Sequence, residues 1–226
     1  MWNFKIDEYR KKAVLEDIII DILYEEYGRK ITMHGGTCVW RCYGGKRFSR
    51  DIDLYLNKEA LTIKYLKKTL FEQLREKNIL IKQSRYFDSI NTLSLIVQTN
   101  TKVKLDINFN FVEGGEIDYL TVSGAKKLII ALSAEDLLKE KIETYLDKIK
   151  EGKEEIQDLY DIWVLKDSVI KQSKESRYKL RLLLNKIKNK EPQNSKSLES
   201  LLIEGLSPSF EKMIGDLNKW LNDVDK

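Results

Sequence analysis

Asp51 and Asp53 stand one residue apart in the stretch "HGGTCVWRCYGGKRFSRDIDLYL", residues 34–56. The same 23 positions hold four glycines and four basic residues. On a strand, residues i and i+2 point to the same side, so the two carboxylates are expected to be neighbours. Held about 4 Å apart, they repel by about 4 kcal/mol at an effective dielectric near 20. A divalent cation relieves that repulsion. Mg²⁺ (or Mn²⁺) takes hard oxygen ligands, typically one or two carboxylates together with substrate phosphates. The glycines suit the same chemistry. Gly35 and Gly36 open a short helix, whose N–H groups can approach a phosphate, and Thr37 adds a hydroxyl. Arg41, Lys46, Arg47 and Arg50 lie between glycines and aspartates, placed to hold a polyphosphate. Gly44 and Gly45 let that loop turn back. A Walker-type loop, G-x-x-x-x-G-K-S/T, is absent from the sequence.

These residues need a scaffold, and the hydrophobic pattern supplies one. Val14, Leu15, Ile18, Ile19, Ile22 and Leu23 recur at helical spacing over 6–27, and Gly28 follows as a stop. "ITMH" reads as a short strand, "TCVWRCY" as a short helix, and "DIDLYL" alternates like a half-buried strand. A long amphipathic helix, "EALTIKYLKKTLFEQLREKN", comes next. Strand-like runs "ILIKQSRYF", "TLSLIVQT" and "VKLDINFN" follow, then the turn "EGGE" and a last strand, "DYLTV". From Ser133 helical period takes over; "SAED" is close to a capping box, and "EPQNS" and "LSPS" mark breaks. The expected class is α/β: a mixed sheet with flanking helices over 1–130, then a helical region over 131–226.

Composition narrows the setting. Of 226 residues, 42% are hydrophobic and 34% charged, as in a soluble globular chain. A net charge of +4 does not by itself announce a nucleic-acid partner. No apolar run is long enough for a transmembrane helix, and the start "MWNFKIDEYRKK" lacks the apolar core of a signal peptide. No membrane association and a cytoplasmic location are expected. Cys38 and Cys42 are the only cysteines and His34 the only histidine, too few ligands for a Cys/His zinc site. The cysteines read as thiols without a functional role. Residues 171–190, "KQSKESRYKLRLLLNKIKNK", hold eight Lys or Arg and one Glu, with Leu180, Leu183, Leu184 and Ile187 on one helix face. This is either a solvated surface helix or a phosphate-backbone contact surface.

The combination of strand, Gly-Gly-Thr, short helix, basic loop and Asp-x-Asp strand resembles the first motif of the polymerase-β-like nucleotidyltransferases. Within them it is similar to the AbiEii/AbiGii toxin family, whose members include the MenT-like toxins. Gly35, Gly36, Thr37, Arg47, Phe48, Ser49, Asp51 and Asp53 match that motif. "LSAEDLLKEKIETYL" resembles the family's leucine-rich segment and carries over Glu140 and Lys141. "QDLYDIWVL" resembles its Asp-Leu-Tyr-Asp helix and carries over Asp158, Tyr160 and Asp161. Gln157 departs from the basic residue the family often has there, and His34 from a plainer one. The ordered matches span 34–165.

The resemblance implies a polymerase-β-like fold whose helical region contributes to the active site. Gly35, Gly36, Thr37, Arg47 and Ser49 become nucleotide-binding candidates, and Asp51 and Asp53 catalytic metal ligands. Asp106 is either the third metal-site acid and general base or an edge-strand carboxylate sharing a face with Lys104. Lys141 could snorkel from its helix, but the resemblance makes it a cationic phosphate contact. Asp158 becomes a catalytic acid and Asp161 its support, where residues alone would leave two helix acids. The implied reaction is metal-dependent transfer of a nucleoside monophosphate from an NTP to an acceptor hydroxyl by a bacterial toxin or abortive-infection enzyme. The acceptor is expected to be the 3′ end of tRNA and the partner an antitoxin. A protein side chain or antibiotic acceptor, or an inactive nucleotide- or partner-binding module, stands as the alternative.

Overall fold

The structure is a computed structural model describing residues 2, 4, 6–169, 173–187, 191–192, 194 and 197–223. The chain forms two compact units. One comprises Met1–Cys42 and Phe48–Leu132; the other comprises Tyr43–Arg47 and Ser133–Lys226.

The first unit is a seven-stranded mixed sheet with three helices. Helix α1 (Asp7–Tyr27) leads to β1 (Ile31–His34), α2 (Gly35–Cys42), β2 (Ile52–Leu56) and α3 (Ile63–Glu76). Strands β3 (Ile81–Phe87), β4 (Thr92–Val97), β5 (Lys102–Asn108), β6 (Gly115–Leu120) and β7 (Lys126–Ala131) complete it. Their order is β3-β4-β5-β2-β1-β7-β6, with β2/β5 and β1/β7 parallel and the rest antiparallel. Period-two alternation gives the central strands two different faces. Ile52, Leu54, Val103, Leu105, Ile107, Leu93, Leu95, Ile31 and Met33 are buried in register with one another. Helices α1 and α3 pack on each other and on this sheet, α3 burying Leu66, Leu70 and Leu74 at i, i+4, i+8. Gly28, with φ +50, stops α1 where the sequence expects it. Strand β7 is one strand more than the pattern reading finds. "KKLIIALS" is a short unalternating apolar run, which periodicity cannot assign.

Burial in this unit traps charge. Arg41, 2% exposed, donates to Asp17 Oδ1 at 2.9 Å and to the carbonyls of Leu120 and Ala13, with its guanidinium 3.8 Å from the Trp40 ring centroid. It is therefore a core residue, not a phosphate ligand. Glu16 is fully buried, and neither carboxyl oxygen has a hydrogen-bond partner; Lys12 Nζ lies 3.9 Å away. Burial pushes the Glu16 carboxyl up to about 8, against the pull of Lys12 and Arg41. Cys38 is buried and Cys42 half-buried, both as thiols.

The second unit is helical: α4 (Ala134–Glu151), α5 (Ile156–Leu165), α6 (Lys174–Ile187), α7 (Ser197–Leu201) and α8 (Phe210–Asp223). Ser133 caps α4 by accepting from Asp136 N at 3.1 Å, and Gly152 ends it with φ +67. The core of this unit holds a charge network. Asp161, with no exposure, receives Arg47 Nε at 2.6 Å and Arg47 Nη2, and Lys141 Nζ at 2.8 Å. Lys141 also lies 3.7 Å from Asp158 Oδ1, whose other oxygen accepts from Lys148 at 2.6 Å. Burial alone would raise Asp161. The Arg47 and Lys141 cations outweigh it and hold the carboxyl below its usual range. Tyr160 OH accepts from Lys46 N at 2.9 Å, so the excursion 43–47 is fixed inside this unit. Of the basic stretch, 171, 172 and 188–190 lie outside the described residues; after Ser173 the rest is α6, with Leu180, Leu183, Leu184 and Ile187 buried. Among the described residues, no helix is long and apolar enough to cross a membrane.

Two predictions follow from these buried charges. Asp161→Asn leaves Arg47 and Lys141 buried without their shared anion, which should destabilise the chain by about 3–5 kcal/mol. Chemical denaturation measures this, and a change below about 0.5 kcal/mol, as at an ordinary surface site, contradicts it. Glu16 has a folded pKa near 8 against an ordinary 4.5, so between these values the native chain keeps a proton that the unfolded chain has released. Stability should fall as pH rises through that window. Glu16→Gln should flatten the fall in melting temperature between pH 5 and pH 9, and an unchanged slope contradicts the assignment.

Candidate active site

Four strands of the first unit bring polar side chains to one level. Thr92 of β4 pairs with Asp106 of β5, Asp106 with Asp53 of β2, and Asp53 with His34 of β1. Residues opposite one another on adjacent strands face the same side, so the four side chains form a row. Thr92 Oγ1 donates to Asp106 Oδ1 at 2.6 Å, which fixes one carboxylate. The His34 ring stacks on Tyr55, with centroids 4.0 Å apart and planes inclined at 22°. A cavity of about 300 Å³ is lined by His34, Asp53, Asn91, Asp106 and Asn108.

Helix α2 begins directly against this row. Gly35 has φ +68, and a Cβ built on it would sit 1.9 Å from Asp53 Oδ2. Any side chain there would displace the carboxylate or the helix start. Thr37, buried in α2, donates its hydroxyl to the Asp51 carbonyl at 2.6 Å. Its structural task is thus to tie the helix start to the first aspartate. Gly36 is buried beside it.

Asp51 precedes β2, so strand alternation does not extend to it. It does not line the Asp53 cavity. It lines a separate one with Lys12, Arg50 and Lys104, and Lys104 Nζ is 4.0 Å from its Oδ1. Burial raises the Asp51 carboxyl; Lys104 and Lys12 oppose this, and the Asp106 charge adds to it. The sequence reading placed Lys104 beside Asp106. The structure gives Lys104 to Asp51 and Thr92 to Asp106.

Asp53, Asp106 and Gly35 are therefore brought together in the first unit, and Lys141, Asp158, Asp161 and Arg47 in the second. Ser49 is buried in the first unit. Glu140 lies half-buried on α4. Among the described residues, no three His, Cys, Asp or Glu side chains gather closely enough to hold a metal ion alone. Two hard-oxygen donors in register are the set that a Mg²⁺-like ion arriving with phosphates takes, so the Asp53–Asp106 pair fits such an ion. Thr92, Asn91 and Asn108 went unnoticed in the sequence. Thr92 had a signal, a β-branched hydroxyl on the strand before "VKLDIN", but its register with Asp106 is a long-range fact.

No curated protein matches the chain. Among solved structures, a putative nucleotidyltransferase from H. pylori has a TM-score of 0.62 at 15% identity, covering 97% of this chain and 95% of that one. JHP933 from Helicobacter pylori has 0.59 at 16%, covering 97% and 92%. MenT4, a nucleotidyltransferase toxin from Mycobacterium tuberculosis H37Rv, has 0.59 at 11%, covering 97% and 84%. At such identities these likenesses establish the fold. The family described as "Nucleotidyl transferase AbiEii toxin, Type IV TA system" matches residues 21–219. The chain belongs to this AbiEii toxin family and is a nucleotidyltransferase.

Proposed function

We propose that the chain transfers a nucleoside monophosphate from an NTP to the 3′ end of tRNA, with Asp51 and Asp53 as ligands of Mg²⁺ or Mn²⁺ and Asp106 completing the set. The observation that carries this is the row Thr92–Asp106–Asp53–His34 with Gly35 packed against Asp53. When bound, the ion would neutralise charge on the attacking and leaving oxygens. The acceptor hydroxyl oxygen attacks the α-phosphorus. Its bond to phosphorus forms as the bond to the β-phosphate bridging oxygen breaks, and pyrophosphate leaves with that electron pair. The hydroxyl proton passes to Asp106, whose other partner is Thr92. The N–H groups at Gly35 and Gly36 face the triphosphate. Thr37 and Arg47 act by position, since both side chains are already bound within the protein, and Ser49 lines the same basic loop.

Lys141 and Asp158 are proposed to support turnover as well; their motifs occur in the resembling family in this order, and both side chains are buried and ion-paired. An RNA acceptor is supported by the family resemblance and by the cations of α6, which suit a phosphate backbone. A family of type IV toxin–antitoxin systems implies an antitoxin partner. The cytoplasm, where NTP and tRNA meet, is the proposed setting.

Asp53→Asn and Asp106→Asn should each lower turnover about 10²–10⁴-fold with little change in melting temperature. Gly35→Ala should do the same by moving Asp53. Lys141→Ala and Asp158→Ala should also lower it, with a measurable stability loss. Near-normal rates in both row mutants sink the assignment. For the acceptor, the purified chain is given labelled NTP, Mg²⁺ and either intact tRNA or tRNA whose terminal ribose has been oxidised. Label on the intact tRNA alone supports the 3′ end. Equal label on both, or label on a protein or small molecule instead, rejects it.

A further inference from the structure

A second cavity, of about 490 Å³, opens in the first unit on the Asp51 side. Lys12, Arg50, Lys102 and Lys104 line it with Tyr9 and Asp51. Four cations meet two carboxylates there, Asp51 and Glu8, in a chain whose formal net charge is only +4. The cations are arranged differently from those of an ordinary salt-bridged surface. The Arg50 and Lys102 side chains are exposed and make no hydrogen bond or salt bridge among the described residues. Lys104, 43% exposed, reaches Asp51 only at 4.0 Å. Lys12 is held by the Arg50 carbonyl and lies 5.8 Å from the Phe48 ring centroid. Lys102 and Lys104 are two residues apart on β5, about 6.6 Å along the strand, so they meet different anionic groups. Beside them, Tyr9 stacks on Phe48 with centroids 4.4 Å apart and planes at 11°. Phe48 is 1% exposed, so Tyr9 is a backed, rigid plate rather than a loose side chain.

We propose that this cavity binds the acceptor RNA strand next to its reacting end, with Arg50, Lys102 and Lys104 on phosphates and Tyr9 against a base. The proposal rests on the reading that the acceptor is RNA. Cations that follow a backbone, set beside an aromatic plate, are the arrangement that holds single strands. Phosphate contacts carry no sequence information, so the cavity fixes the strand's position and leaves its sequence unread. The incoming triphosphate belongs at the Asp53–Asp106 pair, which lines a different cavity and has Gly35 packed against Asp53. Asp51 lines the cationic cavity and is close enough to feel the Asp106 charge, so a strand lying there ends beside the carboxylate row.

The test uses the full chain, intact tRNA, labelled NTP and a fluorescent single-stranded RNA. Arg50→Ala combined with Lys102→Ala should raise the KM for tRNA roughly tenfold and weaken binding of the free strand equally. Removing two phosphate contacts should reduce the slope of log affinity against log salt by about 1.4. The KM for NTP should stay within about twofold, and Arg50→Lys with Lys102→Arg should restore binding. Tyr9→Leu should weaken binding and leave the salt slope unchanged, as a stacking contact does. A raised KM for NTP with unchanged RNA affinity overturns the proposal and makes the cavity a triphosphate site. Unchanged values for both substrates overturn it outright. If the unaltered chain labels a protein or small molecule and ignores RNA, the acceptor reading fails and this proposal fails with it.

Discussion

The register of four strands is the constraint on which the rest depends. Thr92, Asp106, Asp53 and His34 share one level only because β4, β5, β2 and β1 pair as they do. A shift of one residue would turn Asp53 or Asp106 into the apolar layer and bring Leu54 or Leu105 out. The apolar layer prevents that shift. Leu105 lies opposite Leu93 on one side and Ile52 on the other, and Leu54 lies between Ile107 and Met33, all buried. Hydrophobic burial on one face thus fixes the position of carboxylates on the other. Gly35 then sets how closely α2 approaches them.

The second unit is organised by charge as well as by apolar packing. A bidentate Arg47 and the ammonium of Lys141 share one carboxylate with no exposure. Such a cluster is stable only when every member is present, since each isolated charge would be costly to bury. Its composition explains why residues that resemble a family's catalytic motif are also structural. Lys141 and Asp158 have partners within the fold before any substrate arrives.

Much of this was legible in the sequence for physical reasons. The Asp-x-Asp stretch, the glycine pair and the alternation of "DIDLYL" and "VKLDINFN" are local signals, and local periodicity reads well. Gly28 and Ser133 mark helix ends through capping chemistry confined to a few residues. Three features were not legible. Asp51 falls just outside its strand, so the i, i+2 rule does not reach it. The basic loop looked like a uniform phosphate cradle, yet Arg41 and Arg47 are buried on Asp17 and Asp161, one 24 and the other 114 residues away in sequence. Strand β7 owes its assignment to its partners β6 and β1, not to its own pattern. The basic loop and the β1/β7 pairing depend on partners distant in the chain, whereas the Asp51 failure is a local strand boundary.

The separation of Arg47 from Asp161 has a consequence in time. The 114 residues after Arg47, up to and including Asp161, must be synthesised before the pair can close. At 5–20 residues per second this takes roughly 6–23 s on the ribosome. During that interval the loop leading from α2 to Asp51 lacks its carboxylate anchor, although the two aspartates that follow it have already been made. The nascent chain therefore acquires the Asp-x-Asp carboxylates early and the support for the loop that precedes them late. A chain stopped short of α5 would carry the Asp-x-Asp sequence without the anchored loop beside it.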